Sequence, residues 1–157
     1  MPLTQLSVKQ QGSTIIEVLI SVLVLSVGLL GVASMQLHGL RYNQGAYLRA
    51  QATILAYDIV DRMRANPDGV AAGYYNSINT SSLPTDPACI STGCTNQQLA
   101  DHDIREWGNY FVGGTPMLPA ATATVAKTLA IYTVTVSWTE LARTGAIGQS
   151  VVYTFQM

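Results

Sequence analysis

From Ser13 to Leu40 the chain is apolar, with Glu17 as its one carboxylate and no lysine or arginine before Arg41. Coiled as an α-helix, Ser13 to Met35 makes a rod of about 34 Å, enough to cross a hydrocarbon layer of about 30 Å once. The helical pattern continues past that point. Leu48, Ala52, Leu55, Ile59 and Met63 recur at three- and four-residue spacing, while Gln44, Gln51, Asp58, Asp61 and Arg62 fall mostly elsewhere around the circumference. Asn66-Pro67-Asp68-Gly69 predicts the stop, because proline disfavours helix in the residue before it and Asp-Gly favours a turn. An unbroken helix from Ser13 to Arg64 would be about 78 Å long. Its first half, apolar all round, needs lipid or neighbouring helices. Its second half, amphipathic, needs a domain. Gly28 and Gly31 interrupt the apolar half, each at a cost of about 1 kcal/mol relative to alanine, and mark a soft point or the close approach of another helix.

Beyond the helix, Val70 to Thr95 is rich in turn formers and reads as an extended loop with little regular structure. A short helix is predicted from Asn96 to about Tyr110, with Leu99, Asp103 or Ile104, Trp107 and Phe111 near one stripe, ended by Gly113-Gly114-Thr115-Pro116. The remainder alternates as strands do. Thr122–Val125 is followed by Ile131–Thr139, where Tyr132, Val134, Val136 and Trp138 share one face, and by Val151–Gln156 with Val151, Tyr153 and Phe155. The connection between the last two strands is expected at Thr144-Gly145 or Gly148. Together these elements predict an α+β chain in which a small antiparallel sheet packs on the amphipathic half of the long helix.

Composition narrows the function. Charged residues make up only 11% of the chain, which argues for a folded protein, and eight dispersed lysines and arginines at a net charge of -1 supply no phosphate-binding patch, so nucleic acid is not an expected partner. Cys89 and Cys94 lie in the Pro/Ser/Thr/Gly-rich part of the loop. In an oxidising compartment they can pair as a disulfide; the alternative is two free thiols. With His38 and His102 as the only histidines, a metal site lacks ligands. Asp101-His102-Asp103 reads as the solvated face of a polar helix rather than a cation site, and Tyr132 with Trp138 reads as sheet core rather than a ligand platform. Asp58 and Arg62 can pair at four-residue spacing for a few tenths of a kcal/mol. No nucleophile–base arrangement or nucleotide loop is present in the sequence pattern, so no catalytic residue and no cofactor is assigned.

Glu17 carries the most information. A carboxylate near the start of an apolar span is costly unless compensated. Thr14 and Glu17 have the spacing of a capping box, and an acidic group in the first turn also suits the helix dipole. Those local roles can coexist with a role between chains.

The segment Gly12-Ser13-Thr14-Ile15-Ile16-Glu17-Val18-Leu19-Ile20, after a polar leader with Lys9 and before the apolar run, resembles the class III signal of type IV prepilins. The resemblance implies cleavage between Gly12 and Ser13 by a prepilin peptidase, N-methylation of Ser13, and Glu17 as the fifth residue of the mature chain. Ser13 stands where that family usually has Phe or Met. The cut would leave a cationic amine at Ser13, a partner for the Glu17 carboxylate of a neighbouring subunit in a fibre core. Further segments resemble the PilV group of minor pilins: Val27-Gly28-Leu29-Leu30-Gly31, Asp58 to Asn66, Cys89 with Cys94, Trp107, Leu118-Pro119, and Tyr132 to Trp138. Many relatives carry Gly after the Leu-Pro pair, where this chain has Ala120.

The resemblance implies a type IV pilin-like fold with a leader at 1–12, a transmembrane and fibre-core helix at 13–40, and a periplasmic globular domain at 41–157. It also implies a low-abundance subunit, anchored in the bacterial inner membrane by one span and then placed in the pilus, at its tip. There it joins other minor pilins and the major pilin, primes assembly for twitching motility and adhesion, and helps display a tip adhesin. The rival readings are a minor pseudopilin of a type II secretion system and a single-span periplasmic receptor.

Overall fold

The computed structural model describes residues 14–113, 116–142 and 145–157. The elements run α1 (Ile15–Ala65), α2 (Pro67–Ala71), β1 (Ser77–Asn79), α3 (Cys89–Thr92), α4 (Asn96–Gly108), β2 (Thr122–Thr128), β3 (Ile131–Ala142) and β4 (Gly145–Gln156). The chain divides into two compact units, one ending at Asn43 and the other spanning Gln44–Met157. The expected α+β plan is present: a long, apolar-then-amphipathic helix and a four-stranded antiparallel sheet in the order β1-β2-β3-β4.

In the second unit, the stripe read from the sequence is the buried one: Leu48, Ala52, Leu55, Ile59 and Met63 are in the core, joined by Ala56 and Val60. They meet the inward face of β3, whose Tyr132, Val134, Val136 and Trp138 are each at most 2% exposed. Tyr132 and Trp138 are therefore core residues. From α4, Trp107 is fully buried and its indole Nε1 donates to the Leu55 carbonyl at 2.7 Å, bolting α4 to α1. The α4 helix starts with a capping box, Thr95 and Gln98 each bonding the other's backbone amide, which satisfies amides that the helix cannot.

Several expectations need correction. The Asn66-Pro67-Asp68-Gly69 stop does end α1, but a second short helix follows it instead of a bare turn. Proline suits the first position of a helix, and Asn66 caps α2 by accepting from the Gly69 amide at 3.1 Å. The Asn66 amide lies so close over Gly69 that a Cβ there would collide with it. The supposedly irregular loop holds β1 and α3. Its Thr80 is buried, with its hydroxyl accepting from the Ala123 amide at 2.8 Å, which ties the end of β1 to β2. Gly145 and Gly148 lie in the ladder, opposite Ala142 and Thr139, and not in the connection where they were expected; Thr144 lies outside the described residues. The six residues that open β4, of which only Ile147 favours strands, are extended because β3 offers them a partner along its whole length.

The loop after Leu118-Pro119 docks on β3, where the Pro119 carbonyl accepts from the Thr139 amide at 3.0 Å. Ala120 follows with φ +46°, the left-handed region where a Cβ is strained and glycine is not.

Candidate functional site

Within the first unit, α1 presents an apolar surface with no cover from the chain itself. Every described residue from Ile15 to Leu40 is exposed, among them Ile15 at 82%, Leu23 at 65%, Leu30 at 72% and Leu40 at 65%. By length and composition α1 can cross a membrane. Two of its hydroxyls are satisfied along the helix: Ser21 Oγ donates to the Glu17 carbonyl and Ser26 Oγ to the Val22 carbonyl, both at 2.7 Å. A serine so paired costs little in an apolar medium. A Cβ added at Gly28 or Gly31 would meet nothing within 4 Å, so nothing in this chain demands glycine there; a close neighbour would.

Glu17 sits in the first turn of α1, exposed. The Thr14 carbonyl accepts from the amides of Glu17 and Val18, at 3.0 and 3.3 Å, which makes Thr14 the residue at which the helix begins. The unpaired amides of a first turn favour an anion, so the helix itself supplies part of what Glu17 needs. Gly12 and Ser13, the expected cleavage and methylation positions, lie outside the described residues.

The other polar constellation is in the second unit. Asp58, Arg62 and Asn66 follow at four-residue spacing along one side of α1 and its end. Arg62 Nε donates to Asp58 at 3.1 Å and its Nη1 lies 3.7 Å from Asp103 of α4. The Tyr75 hydroxyl donates to Asp103 at 2.6 Å and accepts from the Asn66 amide at 3.1 Å, and that amide also donates to the Asn96 carbonyl at 2.8 Å. Burial pushes the Asp103 carboxyl above the usual carboxylate range, against the opposing pull of Tyr75 and Arg62. Burial, with the bond to Asp103, pushes the Tyr75 phenol up. For Arg62 burial works against the charge, and Asp58 and Asp103 outweigh it, so the guanidinium is held more firmly charged.

This network overturns the reading of Asp101-His102-Asp103 as a solvated face: Asp103 is buried, and Asp101 and His102 are half-buried. Its sign in the sequence was Asp103 itself, on the apolar stripe of α4; Tyr75 and Asn66 gave none. A buried polar chain in which each member is bonded rigidifies the joint between elements, and here it locks the end of α1 to α2 and α4. Among the described residues no group of three or more His, Cys, Asp or Glu is placed to hold a metal. Cys89 and Cys94 form a disulfide that closes α3 against the start of α4.

Residues 8–33 match the prokaryotic N-terminal methylation motif, and residues 34–105 match the family described as type IV pilin Tt1218. The two matches abut, so the signal, the whole of α1, the Asn66 joint, the disulfide and most of α4 are covered in order. The chain belongs to the type IV pilins.

No curated protein and no solved structure matches this pilin. Its sheet, apart from β1, lies beyond the matched residues, so that part of the fold rests on the structure. Pilins are structural subunits. The methylation motif implies processing by prepilin peptidase and entry into pilus assembly, and the apolar half of α1 fits membrane anchoring followed by burial in a fibre.

Proposed function

We propose that this pilin is a minor subunit of a type IV pilus, akin to the PilV group, cut between Gly12 and Ser13 and N-methylated at Ser13. It waits in the bacterial inner membrane on one span, with the domain in the periplasm, and then joins other minor pilins and the major pilin to prime the fibre, at the tip, where the complex supports an adhesin and twitching motility. The observation that carries this reading is the helix from Ile15 to Leu40: apolar, exposed throughout, and marked by one carboxylate in its first turn. In lipid that surface is solvated by acyl chains; in a fibre the same surface packs on other helices. The new Ser13 amine and a neighbour's Glu17 then pair in a water-poor core. The pair sets register, since a buried charge left unpaired is strongly unfavourable.

The test is the intact mass of the membrane-extracted chain from cells with and without prepilin peptidase, followed by deletion of its gene. A peptidase-dependent N-terminus at Ser13 together with loss of surface fibres supports the reading. Processing with fibres intact but enzyme export lost would make the chain a minor pseudopilin of a type II secretion system. An unprocessed N-terminus in both strains would make it a single-span receptor.

A further inference from the structure

The two edges of the sheet are built differently. At one, β1 is three residues long, and so short an edge offers little ladder to another chain. At the other, β4 runs twelve residues and pairs with β3 alone among the described residues. Its register holds without a bulge from Gln156 opposite Ile131 to Gly145 opposite Ala142. The strand, Gly145–Gln156, contains no proline and no charged residue. Brevity, bulges, proline and charge are the devices that keep an edge from recruiting other chains, and β4 uses none of them.

The core is incomplete along the same edge. On β3, Tyr132, Val134 and Val136 are buried; their partners on β4, Phe155, Tyr153 and Val151, pack on the core yet stay half-exposed. Tyr153 and Phe155 belong to an aromatic row, with ring centroids 4.8 Å apart for Tyr57–Tyr153, 5.9 Å for Tyr153–Phe155 and 5.4 Å for Phe155–Tyr132. The row ends in the open at Tyr57, 44% exposed. An edge of main-chain N–H and C=O groups is matched in full by one kind of ligand, another extended main chain.

We propose that the β4 edge receives a fifth strand from another pilin of the same fibre. The donated segment is extended and uncharged, with apolar residues at alternate positions whose inward side chains cover Tyr153 and Phe155. That the donor is another pilin rests on the minor-subunit reading, since a subunit present in few copies meets other pilins rather than itself.

The test is amide hydrogen exchange of the full-length chain in detergent, alone and co-purified with each other pilin of its host. In the complex with the donor, β4 amides should exchange at least tenfold more slowly while those of β1 are unchanged. Val152→Lys combined with Thr154→Lys, on the exposed face of β4, should cut recovery in sheared fibres at least fivefold with the Ser13 N-terminus retained. Equal β4 exchange alone and with every pilin overturns the proposal. Unchanged fibre recovery of the double variant does the same. Slowing that depends on the concentration of the chain alone overturns the donor and assigns the edge to a second copy. A chain never processed to Ser13 breaks the minor-subunit reading instead, whatever β4 does.

Discussion

The stretches Ile15–Leu40 and Leu48–Met63 belong to one hydrogen-bonded helix, yet the first is exposed all round while the second has its apolar stripe buried. Both are held by the same backbone bonds, and both are rich in Leu, Val and Ile. What separates them is where the partner atoms come from. In the second stretch, Ile59 and Met63 find theirs in β3 and α4 of the same chain, and the burial stabilises the folded domain by roughly 25 cal/mol per Å² of apolar surface. In the first, Leu23 and Leu30 find none in the chain, so their stabilising contribution appears only in lipid or in a fibre. Side chains of one chemistry thus serve folding in one stretch and assembly in the other, and mutations in the two should be read out by different measurements.

The sharpest break in that comparison is Trp107→Ala. It opens a cavity beside α1 and removes the bond to the Leu55 carbonyl. Unfolding of the detergent-solubilised chain should show a loss of about 3–5 kcal/mol. Asn66→Ala comes next, since it removes the α2 cap and leaves Tyr75 and the Asn96 carbonyl short of a donor; a loss of about 2–3 kcal/mol is expected by the same assay. Ala120→Gly should act in the other direction. Relief of the left-handed strain outweighs the added freedom of the unfolded chain, giving a gain of about 0.5–1 kcal/mol.

A pH series isolates the buried network. Because burial raises the Asp103 pKa in the folded chain above the ordinary carboxylate value of 3.8, the folded state binds the proton more tightly than the unfolded one. The contribution of this group to stability is therefore greatest below pH 3.8 and falls as pH rises through the folded value. Asp103→Asn does not titrate, so the stability of the original chain relative to that variant should decline as pH rises across this window. A difference that grows with pH would contradict the burial argument. The smallest effect on folding is expected from Glu17→Ala, within about 0.5 kcal/mol as for other exposed sites. Membrane insertion of that variant should also be unchanged, while its recovery in sheared fibres falls. Normal recovery would remove the charge pair from the account of assembly.

Legibility followed the range of the interactions. The α1 stripe and the inward face of β3 repeat at the helix and strand periods, so the residues that face the core announce themselves. The disulfide was open to inference because the cysteines stand five positions apart in one loop. The first half of β4, the three residues of β1 and the partners that Asp103 meets in the core were not legible. Gly145 to Ser150 alternates nothing and is a strand because β3 stands beside it. Asp103 is buried because Tyr75, 28 residues earlier in the chain, turns its hydroxyl toward it, and Arg62 approaches from α1.

For this pilin, the sequence by itself determined the apolar helix, the carboxylate in its first turn and the signal preceding it, since each depends on neighbours within a few residues or on the solvent alone. Tertiary structure decided which polar residues would be buried and which sheet edge would be left open. Those outcomes depend on groups brought together from distant parts of the chain, where the cost of burying a charge or leaving a ladder unpaired is set by what else is there.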